Sequence, residues 1–159
     1  MFGLFKSPPF SDPQLGELTR SRGHWRGSLA LADGESVALV LSGTKTEPDA
    51  QALAIAKEVP AQFASWRTTL EKELFEHYSP YSEAVAAGEL EPMEESFPEI
   101  ATPNGVWPQA KLIYVAVTPL DGSLTVELGY TVAWDEEHTL GARFRTGKFI
   151  ELNGSVLAP

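Results

Sequence analysis

Two blocks of the chain alternate between apolar and polar residues, one near its beginning and one over its C-terminal third. In the first block, the pairs Arg22-Gly23 and Asp33-Gly34 separate three short strand-like runs. The third run is apolar on both faces from Val37 to Leu41, which predicts a central strand covered on two sides. A period of two is typical of strands, and a turn pair ending in glycine is typical of a hairpin. The pattern therefore predicts three antiparallel strands over residues 15–21, 24–32 and 36–42.

A helical period replaces the alternation after the third strand. Thr46 and Asp49, with a proline between them, suit the first turn of a helix, which is predicted to run to Val59. Because proline has no N–H to donate inside a helix, Pro60 predicts a second helix rather than a continuation of the first. A third, short helix is predicted over 80–87.

The second predicted helix, over residues 60–78, has one apolar face. Its large apolar residues follow one another at steps of three and four and are Phe63, Trp66, Leu70 and Leu74. This spacing places them on one side of a helix, while the charged residues between them point elsewhere. We therefore expect this helix to pack against the sheet through these four side chains.

Residues 89–110 form a long Pro/Glu-rich segment with no sustained period. The segment holds four prolines and five glutamates, which predicts an irregular loop. It also contains apolar residues that a disordered tail has little reason to keep, namely Met93, Phe97, Ile100, Val106 and Trp107. We expect these side chains to hold the loop against the body of the protein.

The second alternating block begins at Lys111 and is predicted to hold four strands. The turn pairs Asp121-Gly122 and Thr146-Gly147 indicate two hairpins. Between them, Leu124 to Trp134 places an apolar residue at every second position, which predicts one long strand. The glycine at 129 inside this run predicts a bend or a bulge.

The element order decides the predicted fold class. Three strands, two or three helices and four strands give the order βββ-αα(α)-ββββ, without a repeated βαβ unit. This order predicts one α+β domain over 1–159, with a mainly antiparallel sheet and helices packed on one face. Residues 1–13 are predicted to be a flexible N-terminal segment. Their apolar start is too short for a membrane span or an export signal, so we expect a cytoplasmic protein.

Charge limits the classes of partner. The chain has 12 Lys and Arg against 22 Asp and Glu, a formal net charge of −10, and it has no cysteine. No Lys or Arg lies between Lys72 and Lys111, whereas the interval contains Glu73, Glu76, Glu83, Glu89, Glu91, Glu94, Glu95 and Glu99. A surface of this kind repels phosphate backbones, which argues against nucleic acid and favours a basic protein partner.

The residues Asp135-Glu136-Glu137-His138 lie between two predicted strands. They are predicted to be a hairpin loop, with a role in protein contact as an alternative. Carboxylates beside an imidazole can also hold a cation or move a proton, but a metal site draws three or more ligands and the chain has three histidines in all. No metal, cofactor or catalytic residue is therefore predicted.

The predicted contacts with a partner come from the acidic loop and from this polar stretch. They are Glu89, Glu91, Glu94, Glu95, Glu99, Trp107, Asp135, Glu136, Glu137 and His138. Trp107 has no periodic neighbours, so it is either an anchor for the loop or part of an exposed contact patch, where tryptophan is enriched.

The run WDEEHTLGARFRTGKFIELNGSV resembles the C-terminal end of small, uncharacterised bacterial α+β families, some of which are immunity proteins beside secreted toxins. The resemblance implies a cytoplasmic binding protein without catalytic residues. The leading hypothesis is a non-enzymatic acidic protein that binds a basic partner, such as a toxin. The alternative is a small-molecule enzyme or ligand-binding protein with a pocket between sheet and helices.

Overall fold

A computed structural model describes residues 7–89 and 97–159 of the chain. Within these residues the regular elements are one sheet, one α-helix and one 3₁₀ helix. In chain order they are β1 (Phe10–Asp12), β2 (Gly16–Ser21), β3 (His24–Ala30), β4 (Ser36–Leu41), α1 (Ala50–Ala86), the 3₁₀ helix (Pro103–Gln109), β5 (Ala110–Leu120), β6 (Ser123–Val132), β7 (Asp135–Arg145) and β8 (Lys148–Val156).

The eight strands lie side by side in the order in which they occur in the chain. Every neighbouring pair is antiparallel except β4 and β5, which are parallel, with Ala38–Leu41 beside Tyr114–Val117. A parallel pair requires a long crossover, and α1 supplies it. The prediction of an α+β fold with a mainly antiparallel sheet is confirmed.

Helix α1 is continuous over 37 residues and contains both Pro60 and Pro80. The predicted division into two or three helices is thereby corrected. The helix continues through Pro60 because its buried residues keep one helical phase on both sides of that proline. These residues are Ala52, Ala56, Val59, Trp66, Leu70, Leu74 and Tyr78. An interior proline costs a helix about 3 kcal/mol, and the packing of these residues offsets that cost. The N-cap is Asp49, whose carboxylate accepts the N–H of Gln51 at 2.9 Å.

The core lies between α1 and one face of the sheet. Trp66 stacks on Phe144 of β7 with ring centroids 4.0 Å apart, and its indole N–H donates to the Gly147 carbonyl at 3.0 Å. Leu70 and Leu74 are fully enclosed, and Phe63 packs partly buried against the same cluster. The apolar face predicted from the sequence is thus the face that covers the sheet.

The opposite face of the sheet carries a smaller buried cluster around Tyr114. Its ring lies over Gly129, where an added Cβ would collide with it, and its hydroxyl donates to Glu127. Glu127 also accepts the Nε–H of Arg143 at 2.7 Å, and Arg143 pairs with Glu151 on β8 at the same distance. These ionic contacts join three neighbouring strands on the face that α1 leaves uncovered.

Two segments predicted to be irregular hold regular structure. Residues 10–12, inside the predicted flexible segment, form β1, and Asp12 pairs with Lys57 of α1 at 2.8 Å. In the Pro/Glu-rich stretch, the 3₁₀ helix carries the buried Val106, and the apolar side chains at 97 and 100 pack against the core. Residues 1–6 and 90–96, which include Met93, lie outside the described residues.

Candidate functional site

The stretch Asp135–His138 belongs to the start of β7 rather than to a hairpin loop, and residues 136–139 form a large bulge there. The turn lies two residues earlier, at Ala133 and Trp134, so the predicted loop position is corrected. The β6–β7 ladder passes from the pair Val132–Asp135 to the pair Tyr130–Leu140. Four residues, 136–139, therefore lie opposite Thr131 alone. Bulges of this kind change the direction in which side chains point.

Asp135 holds the bulge together. It is 7% exposed, and its carboxylate accepts hydrogen bonds from the Tyr81 hydroxyl at 2.8 Å and from the N–H groups of Glu137 and His138 at 3.2 and 3.3 Å. The His138 ring also places Nδ1 2.9 Å from this carboxylate. Burial alone would raise the pKa of Asp135, but the hydrogen bonds from Tyr81 and His138 outweigh it and hold the pKa below its ordinary value.

His77 connects the turn before the bulge to α1. The indole N–H of Trp134 donates to His77 Nδ1 at 3.0 Å, which assigns the ring proton of the neutral imidazole to Nε2. Burial lowers the pKa of His77, and the nearby His138 lowers it further, while Asp135 opposes both. Burial and the bond to Asp135 raise the pKa of Tyr81 to about 12. Tyr81 is therefore a neutral donor at physiological pH.

A third segment reaches the same end of α1 through Tyr78. The Tyr78 hydroxyl donates to the Pro98 carbonyl at 2.7 Å and accepts the N–H of Ile100 at 3.1 Å. The Tyr78 ring also meets Trp134 edge to face, with centroids 5.5 Å apart. These contacts fix Glu99, which is exposed, beside the last turns of the helix.

The structure thus brings together three acidic segments that are far apart in the chain. We use the name acidic end for their exposed glutamates, which are Glu83, Glu89, Glu99, Glu136 and Glu137. None of them forms an ion pair with another described residue, whereas Glu71 and Glu76 pair with Arg67 and Lys72 along the helix. Lys111 shares a shallow depression with Glu136. The predicted contacts Glu91, Glu94 and Glu95 lie outside the described residues.

Trp107 lies against the middle of α1. Its indole N–H donates to Glu71 at 3.1 Å, and the Arg67 guanidinium lies 5.1 Å from the centre of its ring. Its ring is also 6.4 Å from that of Tyr130 in the sheet. These contacts correspond to the anchoring role, the first of the two interpretations of this residue. They fasten the 3₁₀ helix to both layers.

The polar groups at the bulge pair with one another. His138 pairs with the buried carboxylate of Asp135 through Nδ1, and 43% of its side chain is exposed. Within residues 7–89 and 97–159, no group of three or more His, Asp or Glu side chains is arranged to hold a metal ion. In the same part of the chain, no helix is long and apolar enough to cross a membrane.

The fold and this site define the class, a two-layer α+β fold whose eight-stranded sheet packs on one long helix and which carries an acidic surface at one end. The chain belongs to the DUF6985 family, described as a domain of unknown function, whose model matches residues 14–156. No curated protein and no solved structure matches the chain.

Proposed function

We propose that the protein is a non-enzymatic binding module whose acidic end engages a basic protein partner. The observation that carries this proposal is the hydrogen bond from Tyr81 to Asp135, because it holds the bulge against the last turns of α1. Through it, Glu136 and Glu137 share one end of the molecule with Glu83. Carboxylates held on rigid elements keep their arrangement before a partner arrives, which lowers the entropy lost on binding.

Unpaired charge supports the same conclusion. Like charges gathered at one end of a molecule repel each other, and a basic partner relieves that repulsion. Exposed charges at an interface act mostly on the rate of association and on its dependence on salt. The acidic end is therefore suited to fast capture of a basic surface, which is the task of an immunity protein that neutralises a toxin. The proposal includes a bacterial cytoplasm as the place of action, and a chain without cysteine is compatible with it.

The experiment compares two variants with equal changes in charge. In the first, Glu83, Glu99, Glu136 and Glu137 are all changed to Gln. The second changes four exposed glutamates elsewhere on the molecule, namely Glu17, Glu35, Glu47 and Glu58. A partner is captured from lysate of the native cell at low salt, identified, purified and used for association kinetics with wild type and both variants.

We expect the first variant to associate at least about 10-fold more slowly with the purified partner, with a weaker dependence on salt. The second variant should stay within about 2-fold of wild type, since its net charge is the same but its acidic end is intact. Equal effects of the two variants would reduce the interaction to general electrostatics and contradict the proposal. A captured partner with an acidic or neutral surface would contradict it too.

A further inference from the structure

A cavity of about 460 Å³ opens between the middle of α1, the 3₁₀ helix and the sheet. It lies on a different part of the helix from the acidic end, with Phe63 and Leu70 on one wall and Leu112 and Tyr130 on the other. Trp107 forms part of the boundary from the 3₁₀ helix. Cavities that hold small molecules have volumes of roughly 300–1,000 Å³, so this one is large enough for an aromatic ring with substituents.

Tyr130 supplies a polar group that the fold does not use. The residue is 2% exposed and lines the cavity, yet its hydroxyl forms no hydrogen bond with any other described residue. Burial raises the pKa of this hydroxyl, so it remains neutral at physiological pH. The hydroxyl is not among the fully enclosed polar atoms that lack a partner, so it is open to the cavity, where a bound molecule with a matching polar atom can replace water as its hydrogen-bond partner.

The charged residues at the cavity favour an uncharged occupant. The Arg67 guanidinium is already paired with Glu71 at 3.0 Å and lies over the Trp107 ring. Asp33 contributes a carboxylate from the β3–β4 turn, which repels an anion. Phe63, Leu70 and Leu112 offer no opposite charge to an ionised ligand, and burial of an unpaired charge is costly.

We propose that this cavity binds a small, uncharged aromatic molecule that carries one hydroxyl or carbonyl group, with the ring between Phe63 and Trp107 and the polar atom hydrogen-bonded to Tyr130. Aromatic side chains on two sides suit a flat ring, because ring faces and edges attract each other. The site is separate from the acidic end, so it is a second binding activity of the same domain rather than a part of the first.

The test uses two probes that differ by one hydroxyl, 4-fluorophenol and fluorobenzene, observed by fluorine NMR with the full chain. Wild type should bind both with saturation, and 4-fluorophenol more tightly. In Tyr130→Phe, affinity for 4-fluorophenol should fall about 5-fold, the value of one ordinary hydrogen bond, while affinity for fluorobenzene stays the same. A loss that is equal for the two probes, or absent for both, would overturn the proposal.

A second pair of variants locates the binding. Ala64 is exposed on α1 and lines the cavity, whereas Ala61 is exposed on the same helix but is not part of the lining. Ala64→Trp should abolish binding of both probes by filling the space, and Ala61→Trp should preserve it. Melting curves establish that both variants fold. Absence of saturable binding to wild type at millimolar probe, or full binding to Ala64→Trp, would refute the cavity as the site. The fourfold Gln variant of the acidic end should bind both probes like wild type.

Discussion

The Tyr81 hydroxyl donates to the buried carboxylate of Asp135 across 54 positions of the chain, at 2.8 Å. One partner lies near the end of the helix and the other at the first residue of β7. The hydrogen bond therefore links the two layers of the fold at the acidic end. It also gives the bulge a fixed position that backbone pairing alone does not provide, because the β6–β7 ladder is interrupted there.

Tyr81→Phe is expected to lower the free energy of unfolding by about 1 kcal/mol, because Asp135 keeps its other donors but loses this one. The amide protons of Glu137 and His138 should exchange with solvent faster, since the bulge that they belong to is less restrained. Denaturant unfolding and amide hydrogen exchange measure the two effects. Unchanged exchange at these amides would show that the bulge is held without the tyrosine.

Acidification should destabilise the protein through His77. Its pKa is below its ordinary value of 6.5 in the folded state, so the unfolded chain takes up this proton first as the pH falls. Stability is therefore full above pH 6.5 and declines as the pH drops below it. Asp135, whose folded pKa is lowered from 3.8, adds a decline at still lower pH.

The variant His77→Gln isolates this contribution, because its amide oxygen can still accept the Trp134 N–H but does not titrate. Urea unfolding at about pH 7.5 and about pH 5.5 should show a smaller loss of stability in this variant than in wild type. His24→Gln is the matched histidine control on β3. An equal loss in wild type and His77→Gln would show that this histidine does not titrate differently on folding.

Leu70→Ala is expected to cost about 2–5 kcal/mol, because the side chain is 1% exposed and its removal leaves a cavity between helix and sheet. Chemical denaturation measures the loss. An exposed substitution on the same helix, Thr68→Ala, should change stability by less than about 0.5 kcal/mol. A loss below that value for Leu70→Ala would contradict the packing of α1.

Gly129→Ala should destabilise the sheet by about 1–3 kcal/mol, because the new methyl group meets the Tyr114 ring on the face away from α1. Tyr114→Leu removes the ring, so Gly129→Ala should cost less stability in the Tyr114→Leu background than in wild type. The difference between the double variant and the sum of the single ones gives the interaction energy. Strict additivity would mean that ring and glycine do not contact each other.

Added Zn²⁺, Mn²⁺ or Ca²⁺ should leave the melting temperature unchanged. A cation that binds only the folded state raises the melting temperature, and more so the tighter it binds, so thermal unfolding with and without metal is a direct measurement. A saturable rise that disappears in His138→Ala would place a metal at the bulge and contradict this expectation.

Alternation of apolar residues predicted most of the strands, because the main core lies on the one side of the sheet that α1 covers and successive side chains of a strand point to opposite faces. The single long helix was harder to predict from the sequence. Pro60 is a strong local signal, but local signals lose to packing when the apolar phase continues on both sides, as it does from Val59 to Trp66. The spacing of apolar residues before and after Pro60 therefore predicts the helix better than the proline itself does.

The acidic end was predictable only in part. Charge counting found its glutamates, whereas the contacts that assemble it come from His77, Tyr78 and Tyr81, three ring-bearing residues within the last turns of one helix. Tyr78 and Tyr81 continue the spacing of Leu70 and Leu74, which is a signal that the sequence does contain. The sequence contains no such signal for the pairing of Tyr81 with Asp135, because this pairing depends on the register of β7 against β6 and on the bulge between them.

The parallel pairing of β4 with β5 also bears on the order in which the chain folds. Strands β1 to β4 and β5 to β8 are two runs in which each strand pairs with its neighbour in sequence, so each run forms through short-range closures. Joining them requires closing the loop between Leu41 and Ala110, which contains all of α1. Loop closure of this length is slow compared with hairpin formation, so we expect docking of the two runs through β4 and β5 to be the step that sets the folding rate.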